Sequence, residues 1–324
     1  MTSDPDGDDR FVAPPRWVGP SADPADEQFG DVVDSTTLAA TDHDAVLVGE
    51  PYDGAVIGRR GAADAPAAIR EELAALKTRH LAGSTPPTLG DLGDVVVSDG
   101  DVAAVQRGLA ETTRAVHALD ALPVFLGGDN SLTVANVTPL LDRDVGVVNL
   151  DAHLDVRRVR DGPTSGTPYR QLHDAGLAGY VCLGARHFET AGPYVDTLDE
   201  WGWQAVPAEA VGGGGVEGAV DRALDALSEV ETLYVSVDCD VLDAAAAPGV
   251  SAPTPGGLST RELFGIVRQL CADPRLRGVE VVECAPPLDA SGRTVAAAAR
   301  VVAHALAGTA VDADTGAESA EVTG

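Results

Sequence analysis

Basic charge is what this sequence most lacks. Its 324 residues carry 22 Lys and Arg against 51 Asp and Glu, a net charge of −29, and Lys77 is the only lysine. Phosphate backbones and anionic headgroups require a basic patch, so this balance excludes DNA, RNA and an anionic membrane surface as partners. It reads instead as a solvated acidic coat that keeps a protein soluble in high salt and repels itself at low ionic strength, which points to a halophilic source. The cysteines Cys182, Cys239, Cys271 and Cys284 have no CxxC spacing. Their mostly apolar, strand-like contexts suit small buried core residues rather than disulfides or zinc ligands. The N-terminus is acidic without an apolar h-region, and no apolar run approaches membrane-spanning length. A reducing cytoplasm is the compartment expected from this.

Internal repeats and a second domain are also missing. Residues 1–35 are rich in Asp, Pro and Gly without apolar periodicity, and residues 311–324 are polar; both read as flexible tails around a single domain over 36–310. Inside it, the apolar runs Ala45–Val48, Leu122–Leu126, Val145–Leu150 and Leu276–Val282 alternate with helical patterns at Ala67–Leu76, Val102–Leu119 and Thr294–Leu306. Asp64 with Pro66 marks one helix start, and Ser259 marks another before Arg261–Cys271. Alternation of this kind builds βαβ units, so the expected class is α/β, with a mostly parallel sheet and helices on both faces.

What is present is acid placed at strand ends. The run Val145–Leu150 leads straight into Asp151-Ala152-His153-Leu154-Asp155, and the run from Tyr234 ends in Asp238-Cys239-Asp240. Residues two apart on a strand share a face, so these carboxylates and the imidazole can converge at the edge where open α/β sheets build their sites. A lone Asp-x-Asp is more often a turn or a helix cap. Two of them, one holding a His, are enough to bridge two divalent metals, and burying that much charge without a cation is expensive. A third run, Pro123–Leu126, ends in Gly127-Gly128-Asp129-Asn130-Ser131, which taken alone is a turn and cap. A fourth, Val279–Val282, delivers Glu283 before Pro286-Pro287. The loop from Arg157 to Arg170 gathers four arginines; guanidinium forks grip carboxylates in pairs, so a substrate bearing carboxylates is the physical inference, with pairing to the protein's own Asp as its rival.

In this order, Gly-Gly-Asp-Asn-Ser, Asp-Ala-His-Leu-Asp, Ser-Val-Asp-Cys-Asp-Val-Leu-Asp, the Ala247–Leu258 run and the late Glu283 resemble the ureohydrolase family of arginases, agmatinases and formimidoylglutamases. The resemblance begins near Gly49 and runs to Arg293. It implies a three-layer α/β/α domain on an about eight-stranded parallel sheet, assembled as trimers or hexamers, with two Mn(II) per subunit. Asp151 and Asp238 would bridge the metals, Asn130 and Asp155 would complete one shell, and His153 and Asp240 the other. The family usually has His where this chain has Asn130, a neutral oxygen donor expected to hold Mn(II) less tightly.

The loop after Asp155 separates the branches. Arginases and agmatinases place His before Gly there, whereas this chain has Ser165 in Thr164-Ser165-Gly166-Thr167-Pro168-Tyr169-Arg170-Gln171. With Asp155-Val156-Arg157, this is similar to the formimidoylglutamase branch. That resemblance implies hydrolysis of N-formimidoyl-L-glutamate, a linear amidine carrying carboxylates, to L-glutamate and formamide in histidine breakdown, by a hydroxide bridging the metals. Asp155 would orient that hydroxide, Glu283 would pair with the amidinium, and Arg157, Ser165, Arg170 and Arg186 would bind the rest of the substrate. Three alternatives stand beside it: another guanidino-group hydrolase such as agmatinase, a two-metal phosphoesterase, and a non-catalytic relative.

Overall fold

Strand-forming runs are buried on both sides, and this sets the architecture. The computed structural model describes residues 8–82 and 86–310. Its strands are β1 (Phe11–Val12), β2 (Asp34–Ser35), β3 (Ala45–Gly49), β4 (Leu89–Val95), β5 (Leu122–Leu126), β6 (Val145–Leu150), β7 (Gly179–Ala185), β8 (Gln204–Pro207), β9 (Thr232–Asp238) and β10 (Leu276–Val282). The helices are α1 (Phe29–Val32), α2 (Ala65–Ala74), α3 (Val102–His117), α4 (Thr133–Val137), α5 (Pro168–Asp174), α6 (Gly192–Trp201), α7 (Ala208–Ala226), α8 (Thr260–Leu270) and α9 (Arg293–Thr309).

All strands join one 10-stranded sheet in the order β1-β4-β3-β5-β10-β9-β6-β7-β8, with β2 beside β4. The eight longer strands are mutually parallel, as expected; the additions are the two-residue strands β1, antiparallel to β4, and β2, parallel to it. Alternate residues face opposite cores. In β3, Ala45 and Leu47 pack with apolar side chains of α2, α7, α8 and α9, while Val46 and Val48 pack with those of α3, α4, α5 and α6. Full burial of one such side chain stabilises by about 1.5–3 kcal/mol, more than the ~1 kcal/mol span of strand propensity. The pattern therefore dictates the layers.

Local signals fix the helix starts. Ser259 and Glu262 form a capping box, with the Glu262 amide donating to Ser259 Oγ at 3.3 Å and the Ser259 amide to Glu262 Oε2 at 2.8 Å. Pro66 sits in the first turn of α2, but Asp64 makes no side-chain cap because a 3-10 turn over Ala62–Asp64 already runs into the helix.

Residues 8–35 correct the expectation of a free tail. β1 pairs with Val95 and Asp94, Trp17 Nε1 donates to Asp91 Oδ2 at 2.9 Å, and Phe29 is only 3 % exposed. Single aromatic anchors hold this segment, so no periodicity marks it. The expected tails over 1–7 and 311–324 lie outside the described residues. No helix among the described residues is long and apolar enough to cross a membrane.

Candidate metal centre

The chain steps from β5 to β6 across two strand places that β9 and β10 later fill, so β5, β10, β9 and β6 are neighbours in the sheet. Being parallel, they end along one edge. β5 leads to Asn130, β10 to Glu283, β9 to Asp238 and Asp240, and β6 to Asp151, His153 and Asp155.

Both acidic motifs fold into the same local turn. The His153 amide donates to Asp151 Oδ1 at 2.6 Å, and the Asp240 amide donates to Asp238 Oδ1 at 2.8 Å. The turn reading and the ligand reading are thus compatible, since a carboxylate that accepts one local N–H still has lone pairs to offer. Asp151, His153 and Asp240 form one potential ligand group and Asp151, Asp155 and Asp238 a second, each with its donor atoms within 4.8 Å of one another. Asp151 belongs to both. His153 Nδ1 lies 3.0 Å from Asp240 Oδ2 and 3.4 Å from Asp151 Oδ1.

Asp155 and Glu283 are held by the same residue. Asn130 Nδ2 donates to Asp155 Oδ2 at 2.6 Å, and the Asn130 amide N–H donates to Glu283 Oε1 at 3.0 Å. Both carboxylates sit on left-handed backbone, with φ of 47° at Asp155 and 60° at Glu283. Such strain in non-glycine residues persists where surrounding structure over-determines it, and it clusters at functional sites.

The electrostatics favour a bound cation. Burial pushes the Asp155 carboxyl well above the usual range, with Asp151 adding to it, and burial with Asp240 does the same to Asp238. Burial and then Asp129 raise Glu283. Burial opposes a charge on His153, yet hydrogen bonds to Asp151 and Asp240 outweigh it and push the imidazole up to about 12. One imidazole cannot offset so many buried carboxylates. Hard oxygen donors with a single nitrogen, two strand ends and a shared Asp151 fit a pair of divalent ions such as Mn(II).

A cavity of about 160 Å³ opens onto this cluster, lined by His153, Asp155, Asp238, Asp240 and Glu283 together with Arg157, Ser165, Gly166, Ile57, Gly58, Ser251 and Ala252. Among the described residues, the exposed Arg157 guanidinium makes no hydrogen bond or ion pair, while its amide donates to Gly166 O at 3.0 Å. Ser165 Oγ accepts from the Ile57 amide at 3.4 Å.

Arg170 and Arg186 do not join them. Arg170 donates Nε and Nη2 to Val156 O at 3.2 and 3.1 Å and lies 4.4 Å over the Trp201 ring. Arg186 is buried and donates to the carbonyls of Asp240, Leu242 and Thr254. Both arginines brace the loops that carry the ligands, and these bonds occupy the forks that substrate binding would need.

Sequence reading missed a polar layer behind the site. Glu280, Thr133, Asn136 and Glu50 are fully buried, and Asn136 Nδ2 donates to both Glu50 Oε2 and Glu280 Oε2 at 2.9 Å. A carboxylate inside the apolar run Val279-Glu280-Val281-Val282 was the available signal, because buried acid needs a reason.

Comparison with known proteins agrees with this arrangement. The chain is 58 % identical over 299 residues to a formimidoylglutamase of Halobacterium salinarum, covering 90 % of this chain and 97 % of the relative. The crystal structure of formimidoylglutamase from Bacillus subtilis superposes with a TM-score of 0.85 at 30 % identity, over 90 % of this chain and 94 % of that one. A Trypanosoma cruzi formiminoglutamase crystallised with two Mn2+ superposes with a TM-score of 0.81 at 26 % identity, over 88 % and 99 %. Residues 43–308 match the arginase family as a whole. With that match spanning every strand end that builds the carboxylate cluster, the chain belongs to the arginase family.

Proposed function

We infer that this chain is a manganese-dependent hydrolase of linear amidines that converts N-formimidoyl-L-glutamate to L-glutamate and formamide. The observation that carries the reading is one cavity lined by His153, Asp155, Asp238 and Asp240, which group around the buried Asp151, together with Glu283 and Arg157. Asp151, Asp238, Asn130, Asp155, His153 and Asp240 would hold two Mn(II), with Asp151 common to both ligand groups. When bound, the ions supply a nucleophilic water of lowered pKa and offset the carboxylate charge. Asp155 accepts a proton of the attacking water and keeps it aimed at the amidine carbon. Glu283 pairs with the amidinium and fixes that carbon in line. Arg157 takes a substrate carboxylate, and the Ser165 hydroxyl lies beside it as a further polar contact. As the carbon–oxygen bond forms, the amidinium π pair moves to nitrogen and the carbon becomes tetrahedral. The proton held at Asp155 then goes to the glutamate nitrogen, the bond from carbon to that nitrogen breaks, and the proton left on the new oxygen passes to the freed amine, leaving formamide and glutamate.

The test is a turnover panel at high salt with excess Mn(II), on formimidoylglutamate, agmatine and arginine. Formimidoylglutamate is expected to be fastest, and Asp151→Ala or Asp238→Ala to retain no more than a few per cent of that rate, since each removes an anion shared by both ions. Faster turnover of agmatine or arginine would transfer the chain to another branch of the family, and hydrolysis surviving in either variant would sink the dinuclear assignment.

A further inference from the structure

Behind Asn130 stands a hydroxyl with two acceptors and one proton. Thr133 Oγ1 lies 2.8 Å from Asn130 Oδ1 and 2.5 Å from Glu280 Oε1. A hydroxyl donates one hydrogen, so it cannot serve both oxygens. Glu280 has the stronger claim. It is fully buried, and its other oxygen accepts from Asn136 Nδ2 and from the Tyr234 hydroxyl, both at 2.9 Å. Thr133, Asn136 and Tyr234 thus all present donors to it, as a buried carboxylate requires. Once Thr133 gives its proton to Glu280, the hydroxyl has only lone pairs left for Asn130. The amide partner that suits those lone pairs is the NH2 group.

Turning the amide by half a rotation brings Nδ2 to Thr133 and Oδ1 to the side where Nδ2 now meets Asp155 Oδ2 at 2.6 Å. Two oxygens at that separation repel unless a cation sits with them. The two orientations therefore answer to different conditions. Nδ2 toward Asp155 satisfies that carboxylate without a metal and leaves the Thr133 conflict standing. Oδ1 toward Asp155 resolves the conflict and creates an all-oxygen metal face.

We propose that Thr133, backed by the buried Glu280, is a positioning residue that selects the metal-binding face of Asn130. This rests on the reading that Asn130 and Asp155 share one ion. The Glu280 charge, passed through the Thr133 hydroxyl, also polarises the amide and makes its oxygen a better donor, as partners behind metal ligands commonly do. A neutral Asn thereby works where the family usually has imidazole.

The test counts bound Mn2+ during titration of the metal-free full chain, using the electron paramagnetic resonance signal of the free aquo ion. The wild type is expected to take up two ions. Thr133→Val should weaken one of the two steps by about tenfold, the equivalent of about 1.4 kcal/mol, and leave the other unchanged. Thr133→Ser keeps the hydroxyl and should stay within about twofold of wild type on the same scale. In an Asn130→Ala background, Thr133→Val should cause no further loss. If Thr133→Val does not fold, Glu280→Gln carries the test, with the same single step expected to weaken. The proposal is overturned if Thr133→Val binds as wild type does, if Thr133→Ser loses as much as Thr133→Val, if the loss persists without the Asn130 amide, or if Glu280→Gln spares that step. A wild type holding fewer than two ions would overturn the dinuclear reading itself, a result distinct from a wild type with two sites that Thr133 does not influence.

Discussion

The side chain of Asn130 and the carboxylate of Asp155 are locked together by a 2.6 Å hydrogen bond at the place where a metal would need both as ligands. Any ion entering there must displace that bond and then rely on a neutral oxygen donor. Asn130→His puts a stronger donor in its place. Half-maximal activity should then be reached at about tenfold lower Mn(II), a difference of about 1.4 kcal/mol. Equal half-activation concentrations for the two proteins would mean that Asn130 either holds the ion as well as imidazole does or is no ligand at all.

Arg157 and Arg186 should respond oppositely to the same substitution. Arg157→Met removes a guanidinium that makes no hydrogen bond or ion pair among the described residues, so KM for formimidoylglutamate should rise by about tenfold or more while the melting temperature holds. Arg186→Met strips donors from the Asp240, Leu242 and Thr254 carbonyls. At about 1.5–3 kcal/mol for a charged hydrogen bond, the melting temperature should fall by about 5 °C or more. A stable Arg186→Met enzyme with raised KM would return that residue to the substrate.

Glu50 gives the stability a pH dependence of known sign. Burial pushes its carboxyl from 4.5 up to about 8. Below the unfolded value both states hold the proton and folding incurs no cost from it. As pH rises toward about 8 the unfolded chain releases the proton while the folded one keeps it, so stability falls across that window and levels off above it. Glu50→Gln should therefore raise the melting temperature near pH 9 and change it little near pH 5. Equal shifts at both pH values would show that Glu50 ionises as freely in the fold as outside it.

Salt should govern the whole molecule. With a net charge of −29, acidic side chains repel across the subunit at 0.01 M salt, where the Debye length is about 30 Å, and are screened at 1 M, where it is about 3 Å. The melting temperature should climb steeply over that range, and a flat response would make the acidic coat energetically neutral.

The strands that carry the site were legible because each is a short apolar run, and burial on both faces leaves such a run little else to become. The ligands were legible because Asp-x-His and Asp-x-Asp directly follow two of those runs, and alternation puts residues two apart on one face. The capping box at Ser259 and Glu262 was half visible, since a hydroxyl before an apolar-periodic stretch has one obvious use. These are facts of near neighbours in the chain, within reach of a local pattern.

Other features were decided by packing between distant segments. The strand order alone makes neighbours of Asn130, Glu283, Asp238 and Asp151. Phe11, Trp17 and Phe29 tie down a segment that composition describes as a tail, because one buried and two half-buried aromatics outweigh a polar majority. Arg170 and Arg186 are identical in kind to Arg157, yet loop carbonyls claim their donors first. Glu280 looks like an ordinary strand residue until Thr133, Asn136 and Tyr234 converge on it. Hydrogen-bond partners are chosen by whatever the fold brings within about 3 Å, and that choice is written in no stretch of sequence shorter than the fold itself.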